Sequence, residues 1–352
     1  MSEVSIQIGS SIHNYFEAVS VFQNIDSLCG QFKASTSNHN EADLSKWGIS
    51  MEDAVKVLIG NTSLCNGYLD NLFLDYGPEF NELEIDGRDK TMDLVDCTPP
   101  EPFELKGQTY LAIIKKLVQP FGIAVTVKSS ASAILSKAVE MYTADIGETA
   151  AALIGSICRD IGLLAMSLGD GKLTLATSAD ATEVMKDPIQ FGQNAKYGGL
   201  RRSNTNRFSD YAVKGMGIST DNKSIADYTS PAGTASDSLI SRTRPLTILS
   251  EGAVNNSICK SRASFEAMLR AGKSAMITYE VSGWEQSDGS IWKLFSKARV
   301  KDSFLNIDET MLISSLLFEY NKEEGKTTSI TVVNKDTYSS ANAGNVRTVF
   351  DS

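Results

Sequence analysis

Short runs in which apolar and polar residues alternate fill the first part of the chain. The pattern is seen at residues 4–8, 19–21, 72–76 and 83–85, and a turn is predicted at 61–66. A period of two, interrupted by Ser, Asn, Gly and Pro, is typical of antiparallel strands that bury one face. About six such strands within roughly 90 residues predict a small barrel or sandwich.

A proline-rich connector separates these strands from a more helical stretch. Residues 98–102 have the sequence TPPEP, and prolines at this density exclude regular structure. Residues 108–119 and 148–161 each place their apolar residues on one face, which predicts two amphipathic helices. A β-hairpin is predicted at residues 163–176. Residues 103–180 are therefore predicted to form a compact α/β unit.

The remaining residues return to strand patterns, with one helix predicted at about 256–271. A polar loop is predicted at 217–243, which is long for a connection within a domain. Four strands are predicted to finish the chain, at 275–284, 292–302, 311–320 and 327–333. The fold class that follows is α+β.

Charge is distributed unevenly along the chain. The first hundred residues have a net charge of −11, whereas the whole chain has −10, so the remainder is close to neutral. Tight binding to nucleic acid depends on basic contacts with phosphates. An acidic first domain therefore argues against a protein that grips DNA, and suits a surface that must not hold it.

Composition excludes several classes of function. The five cysteines are widely spaced without a CxxC pair, and only His13 and His39 are histidines, so no metal site and no cofactor are predicted. Residues 325–327 have the sequence GKT but lack the earlier glycine of a phosphate-binding loop. No GxSxG motif is present, and the chain is not predicted to be an enzyme. An apolar run long enough to span a membrane and a secretory signal are both missing from the sequence.

A charged segment at residues 87–97, GRDKTMDLVDC, joins the strand-rich part to the helical part. Arg88 and Lys90 are expected to pair locally with acidic neighbours at 86, 89 or 93. Exposed pairs of this kind contribute only about 0–1 kcal/mol each. The segment is interpreted as structural, and its candidate domain-junction or subunit-interface residues are Arg88, Asp89, Lys90, Asp93 and Asp96.

The same segment resembles the baseplate hub family of phage Mu and related contractile-tailed phages. The similarity continues in the family's order over most of the chain. Further short matches lie at 107–109, 120–123, 147–149, 162–164, 242–246, 283–284, 307–308 and 312–314.

The resemblance implies a non-enzymatic homotrimer. Each subunit would carry two tail-tube-like antiparallel β-barrel domains with intervening small α/β domains. Three subunits would form a ring that joins the sixfold tail tube to the threefold central spike and leaves a channel for DNA. The protein would be assembled in the host cytoplasm and reside in the tail baseplate of the virion.

The implied partners are further copies of the chain, the trimeric central spike protein, the tail tube or a tube-adaptor protein, and the baseplate wedge proteins. DNA would be only a transient, non-specific cargo of the channel.

Domains are expected at 1–98 for the first barrel, 103–180 for the α/β domain and 185–352 for the second barrel, with a helix-containing subdomain inserted around 217–275. Three alternatives stay open: the equivalent hub of a prophage-derived tail-like bacteriocin, a tail-associated muralytic enzyme, and a carbohydrate-binding module.

Overall fold

The computed structural model is an α+β structure in which strands dominate. In the described part of the chain, one large sheet contains 13 strands, and three small sheets contain two or three strands each. No helix among the residues described is long and apolar enough to cross a membrane. The structure describes residues 3–37, 49–51, 53–78, 80–100, 104–144, 147–216, 231–253, 255–339, 348 and 350.

The first part of the chain forms antiparallel strands, as predicted. Their inward residues alternate with exposed ones and include Ile6, Val57 and Ile85, all fully buried. The turn predicted at 61–66 was wrong at 62–66, because the chain reverses at Gly60 (φ 55°) and Asn61 and the next strand begins at Thr62. The strands are β1 (Val4–Ile8), β2 (Ser11–His13), β3 (Ala18–Asn24), β4 (Gln31–Ser37), β5 (Ala54–Ile59), β6 (Thr62–Tyr76) and β7 (Asn81–Asp89).

The middle part contains both predicted amphipathic helices. Each is capped by a threonine whose side chain accepts from a backbone N–H, Thr109 from Ala112 and Thr149 from Ala152. The predicted hairpin is present as an antiparallel pair. The elements are α1 (Met92–Asp96), β8 (Glu104–Thr109), α2 (Tyr110–Val118), β9 (Val125–Val127), α3 (Ser129–Leu135), β10 (Ala138–Thr143), α4 (Ala150–Ile161), β11 (Leu164–Met166) and β12 (Leu173–Ala176).

Helix α3 was not predicted from sequence. It is short and rich in serine, a residue that favours helix ends over helix interiors. Its first turn is fixed by a distant residue, because the Asp180 carboxylate accepts from the Ser130 backbone N–H at 2.9 Å. Tertiary contact, not local propensity, therefore defines this helix.

The last part contains one long helix and the four strands predicted near the end of the chain. The polar loop predicted at 217–243 was wrong at residues 232–236, which form a strand, and its residues 217–230 lie outside the described part. The elements are β13 (Ile189–Gln190), β14 (Ala195–Arg202), β15 (Asp210–Met216), β16 (Ala232–Ser236), β17 (Pro245–Ala253), α5 (Asn256–Lys273), β18 (Ala275–Ser282), β19 (Lys297–Asp302), β20 (Ile307–Asn321) and β21 (Gly325–Asn334).

The large sheet runs through both strand-rich parts of the chain. Its order is β14-β18-β21-β20-β3-β4-β7-β6-β5-β1-β2, with β13 and β19 attached beside β20. Seven residue pairs join β3 to β20, from Asn24 opposite Ser315 to Ala18 opposite Asn321. The backbone hydrogen-bonding groups at the edge of β3 therefore pair with those of β20, which joins the two strand-rich parts. Two separate closed barrels are not seen among the described strands, which follow one open path.

Candidate functional site

A broad polar surface is formed by the outward side chains of strands β18, β21, β20, β3, β4, β7 and β6, and is called here the polar sheet face. Strand register aligns these side chains in rows across both parts of the chain. The inward neighbours, such as Tyr279, Phe318 and Ile330, are fully buried. One row contains Ser282, Thr327, Glu319, Ser20, Lys33, Asp86 and Asn71.

Acidic residues outnumber basic ones on the polar sheet face. Both of its central cations are paired, Lys33 with Glu84 at 2.8 Å and Arg88 with Asp70 at 2.6 Å. Burial, with the nearby charges of Glu280 and Glu324, raises the pKa of Glu319. The remaining acids make this face repel a polyanion such as DNA. They are Glu280 and Glu319 from the last part of the chain and Asp75, Glu82 and Asp86 from the first.

The charged segment at 87–97 is divided by strand β7, which puts neighbouring residues on opposite faces. Arg88 points outward and forms bidentate contacts with Asp70 at 2.6 and 3.0 Å and with Asp96 at 2.7 and 3.1 Å. The prediction that Arg88 pairs locally with residue 86, 89 or 93 was therefore wrong. A strand's alternation brings Arg88 beside β6, and helix α1 returns Asp96 to the same side.

Asp89 points inward and is fully buried. Its Oδ2 accepts from the Ser167 hydroxyl at 2.9 Å, and its Oδ1 accepts from the Thr91 hydroxyl at 3.3 Å. Ser167 lies just after β11, so this carboxylate connects the first strand-rich part to the α/β part. The sequence placed Asp89 in a candidate junction but gave no sign of its partner, 78 residues away.

The hairpin turn after β11 makes further contacts with β6 that sequence reasoning missed. The Ser63 hydroxyl donates to the Gly169 carbonyl at 2.9 Å, and the Asn66 side chain donates to the Asp170 carbonyl at 3.1 Å. A Cβ at Gly169 would lie 2.3 Å from the Leu64 carbonyl oxygen. Glycine here therefore permits close backbone docking as well as the turn itself.

Lys90 and Asp93 have smaller roles in the observed geometry. The backbone N–H of Lys90 donates to the Asn66 carbonyl at 3.0 Å, which extends the contact with β6. Asp93 lies in the first turn of α1, and burial together with the charge of Asp96 raises its pKa. Among the described residues, no group of three or more His, Cys, Asp or Glu side chains is arranged to hold a metal ion.

Asp89 and Asp96 are expected to affect stability with opposite dependences on pH. Burial raises the pKa of Asp89, whereas the Arg88 hydrogen bond lowers the pKa of Asp96. Raising the pH through the raised pKa makes the Asp89 carboxylate costlier to bury, so the stability of wild type relative to D89N should fall. Relative to D96N, the wild type should lose stability as the pH falls through the lowered pKa of Asp96.

Urea melts of the three proteins between about pH 3 and 7 measure both trends. A constant difference between wild type and D89N across this range would show that the pKa of Asp89 is the same in the folded and unfolded states, which would contradict the effect of burial.

Three protein-family models match successive segments of the chain. Residues 3–89 match the N-terminal domain of the Mu phage baseplate assembly protein GpP-like family, and residues 91–177 match the second domain of the baseplate hub protein gp44-like family. Residues 255–341 match the fourth domain of the Mu phage baseplate assembly protein GpP. The chain belongs to the Mu baseplate hub family.

Individual relatives match this hub-family chain over nearly its whole length. Baseplate hub protein gp44 of Escherichia phage Mu is 26% identical over 339 residues, 95% of this chain and 88% of the relative. The 43 kDa tail protein of prophage MuSo2 from Shewanella oneidensis has a TM-score of 0.81 and 26% identity, covering 96% of this chain and 99% of that one. A tail protein of Neisseria meningitidis MC58 has a TM-score of 0.79 at 20% identity, with coverages of 97% and 99%.

A second buried network holds the hub-family chain together near α5. Arg262 donates to Asp160 of α4 at 2.8 Å and to Glu266 at 2.9 Å. The Ser250 hydroxyl of β17 donates to the other oxygen of Asp160 at 2.8 Å. Burial raises the pKa of Asp160. None of these residues was singled out from sequence, because a helix-to-helix ion pair 102 residues apart leaves no local pattern.

Proposed function

We propose that three copies of this baseplate hub protein form a ring that joins a sixfold tail tube to a threefold central spike. The observation that carries the proposal is the pairing of β3 with β20. It sets two strand-rich units side by side in one sheet, so that three chains would offer six such units. A sixfold tube above and a threefold spike below could both match this arrangement.

The polar sheet face is proposed to line the channel of the ring. Its acids come from both strand-rich units, and its two central cations are already paired with acids. A wall of this kind repels phosphates and lets DNA pass without being held. The acids of the first part supported this idea from sequence, and Glu280 and Glu319 extend it to the second.

The division of the chain is proposed to follow 1–98, 103–180 and 185–352, with the subdomain inserted around 217–275. Arg88, Asp89 and Asp96 are proposed to hold the first junction, which their contacts with Asp70 and Ser167 support. The spike, the tube or its adaptor and the wedge proteins are proposed as partners. Residence in the virion baseplate follows from the family and this role.

Mass measurement in solution is the first test of the ring. The chain has a mass of 38.1 kDa, and a species of three times that mass is expected at micromolar concentration. Cryo-electron microscopy of the same sample should place Lys33, Glu84 and Glu319 toward the threefold axis. A stable monomer at high concentration would contradict the ring, and a trimer with the polar sheet face turned outward would contradict the channel.

A further inference from the structure

The polar sheet face belongs to a run of eight strands from β14 to β6, called here the wall. The wall has an open strand edge at each end. Strand β14 pairs along its length with β18, and in the described part of the chain its other edge has a single isolated bridge, from Ala195 to Phe191. Strand β6 pairs with β5 up to Tyr68, and beyond that residue its described pairing is with β7 alone. The wall therefore runs from an open edge at β14 to an open edge at residues 69–76 of β6. An unpaired edge exposes backbone donors and acceptors that can pair with another strand.

The directions of the strands make the two edges compatible. The wall contains eight strands in the order β14-β18-β21-β20-β3-β4-β7-β6. Each neighbouring pair along it is antiparallel. With an even number of strands, β14 and β6 run in opposite directions. When copies are related by rotation about a ring axis, β14 of one copy meets β6 of the next in antiparallel orientation, which continues the alternation of the wall.

The side chains at the two edges are complementary. Large apolar groups are exposed at both, with Tyr197 59% and Leu200 39% exposed on β14, and Phe73 51% and Tyr76 76% exposed on β6. Register with β18 places Tyr197 and Arg201 on the same side as Glu280, which is the polar sheet face, and register with β7 does the same for Phe73 and Asp75.

The charges at the two edges are opposite. Lys196 and Arg201 give the β14 edge a positive charge. Asp75 gives the β6 edge a negative charge, and its partner Glu82 on the adjacent strand β7 adds to it. Two β14 edges would repel each other, as would two β6 edges. This pattern favours a head-to-tail contact, in which a different surface is used on each side of the subunit, over a twofold contact.

We propose that β14 of one copy pairs antiparallel with residues 69–76 of β6 in the next copy, and that this contact closes the ring. The inference rests on the proposed trimer and identifies the surfaces that build it. The occupant of each edge is a second copy of this chain, because the basic β14 edge complements the acidic β6 edge and both edges expose large apolar side chains.

Charge reversal at one edge tests the pairing. The double variant K196E/R201E should weaken self-association roughly 100-fold, because like charges would then face each other across the contact. Sedimentation should show it as a monomer at concentrations where the wild type is a trimer. Adding D75K/E82K to the same chain should restore the trimer, since the β14 edge is then acidic and the β6 edge basic, so opposite charges again face each other. Circular dichroism confirms that each variant is folded.

The matched control is K115E/K335E, which makes the same change in net charge at two exposed positions away from both edges. It should remain a trimer. A trimeric wild type with an unaffected K196E/R201E variant would overturn the edge assignment and leave the ring intact. A monomeric wild type would overturn both.

Cross-linking adds a readout that does not depend on charge. The native Cys97 is an exposed free thiol, so the chains are prepared with C97S. When Y197C chains are mixed with F73C chains, a short thiol-to-thiol linker should join one chain of each type, and neither type alone should give the same yield. Hydrogen exchange on monomeric K196E/R201E identifies the other possible occupant. If β14 amides stay as protected as in the trimer, the chain's own segments cover this edge, and the pairing between copies is overturned.

Discussion

Replacing Arg262 with methionine is expected to lower the free energy of unfolding by about 3–5 kcal/mol. Arg262 satisfies two carboxylates, Asp160 at 2.8 Å and Glu266 at 2.9 Å. Both acids are more than nine-tenths buried. Methionine fills a similar volume but leaves Asp160 without its ion-pair partner and Glu266 paired with Arg270 alone among the described residues. The loss should appear as a lower midpoint in urea unfolding with an unchanged slope.

The control for this substitution is R299M. Arg299 forms an equally short contact with Asp308 at 2.8 Å, but the two side chains are 57% and 56% exposed. Water screens that pair, so R299M is expected to change the free energy of unfolding far less than R262M does. Equal losses in R262M and R299M would show that the Asp160 network has no special role in stability.

Replacing Gly169 with alanine is expected to lower the free energy of unfolding by about 2–5 kcal/mol, through two effects that add. Gly169 has φ 82°, a conformation that costs an L-residue roughly 1–2 kcal/mol. A Cβ there would also lie 2.3 Å from the Leu64 carbonyl oxygen, so the hairpin turn would have to move away from β6 at a further cost of roughly 1–3 kcal/mol. Urea unfolding measures the total.

Gly122 provides the control, because it has φ 63° and a Cβ added there would meet no atom within 4 Å. G122A should therefore show only the conformational cost. Faster hydrogen exchange around Ser63 and Asn66 in G169A, but not in G122A, would locate the extra loss at the docked turn. If the two variants were equally destabilised, close docking of the turn would be contradicted.

Local patterns were sufficient to predict the helices and most strands. Tyr110, Ile113 and Leu117 share one face of α2 and are all buried, as their spacing indicates. The strands near the end of the chain were likewise visible from their alternation. The α3 helix and strand β16 were missed because tertiary contacts define them. Gly233 of β16, for example, lies so close to α5 that a Cβ would come within 2.1 Å of the Lys260 nitrogen.

The partners of the charged segment at 87–97 were not predicted. Arg88 and Asp89 are adjacent in sequence and were treated as members of one cluster. Strand alternation separates them, so that one contributes to the outer surface and the other to a buried junction. Sequence spacing could have predicted the separation once residues 81–89 were assigned to a strand. It could not have predicted Asp70 or Ser167, since long-range pairing depends on the topology of the sheet.

The pairing of β3 with β20 also governs when the chain can finish folding during synthesis. The Tyr338 hydroxyl donates to Asp26 across 312 residues, and the Lys322 side chain donates to Glu17 across 305. Until β20 has left the ribosome, β3 remains an open edge on an otherwise formed unit, and contacts this distant in sequence form slowly. A chain that terminates before β20 therefore cannot complete the large sheet, which makes synthesis of the last strands a condition for the finished fold.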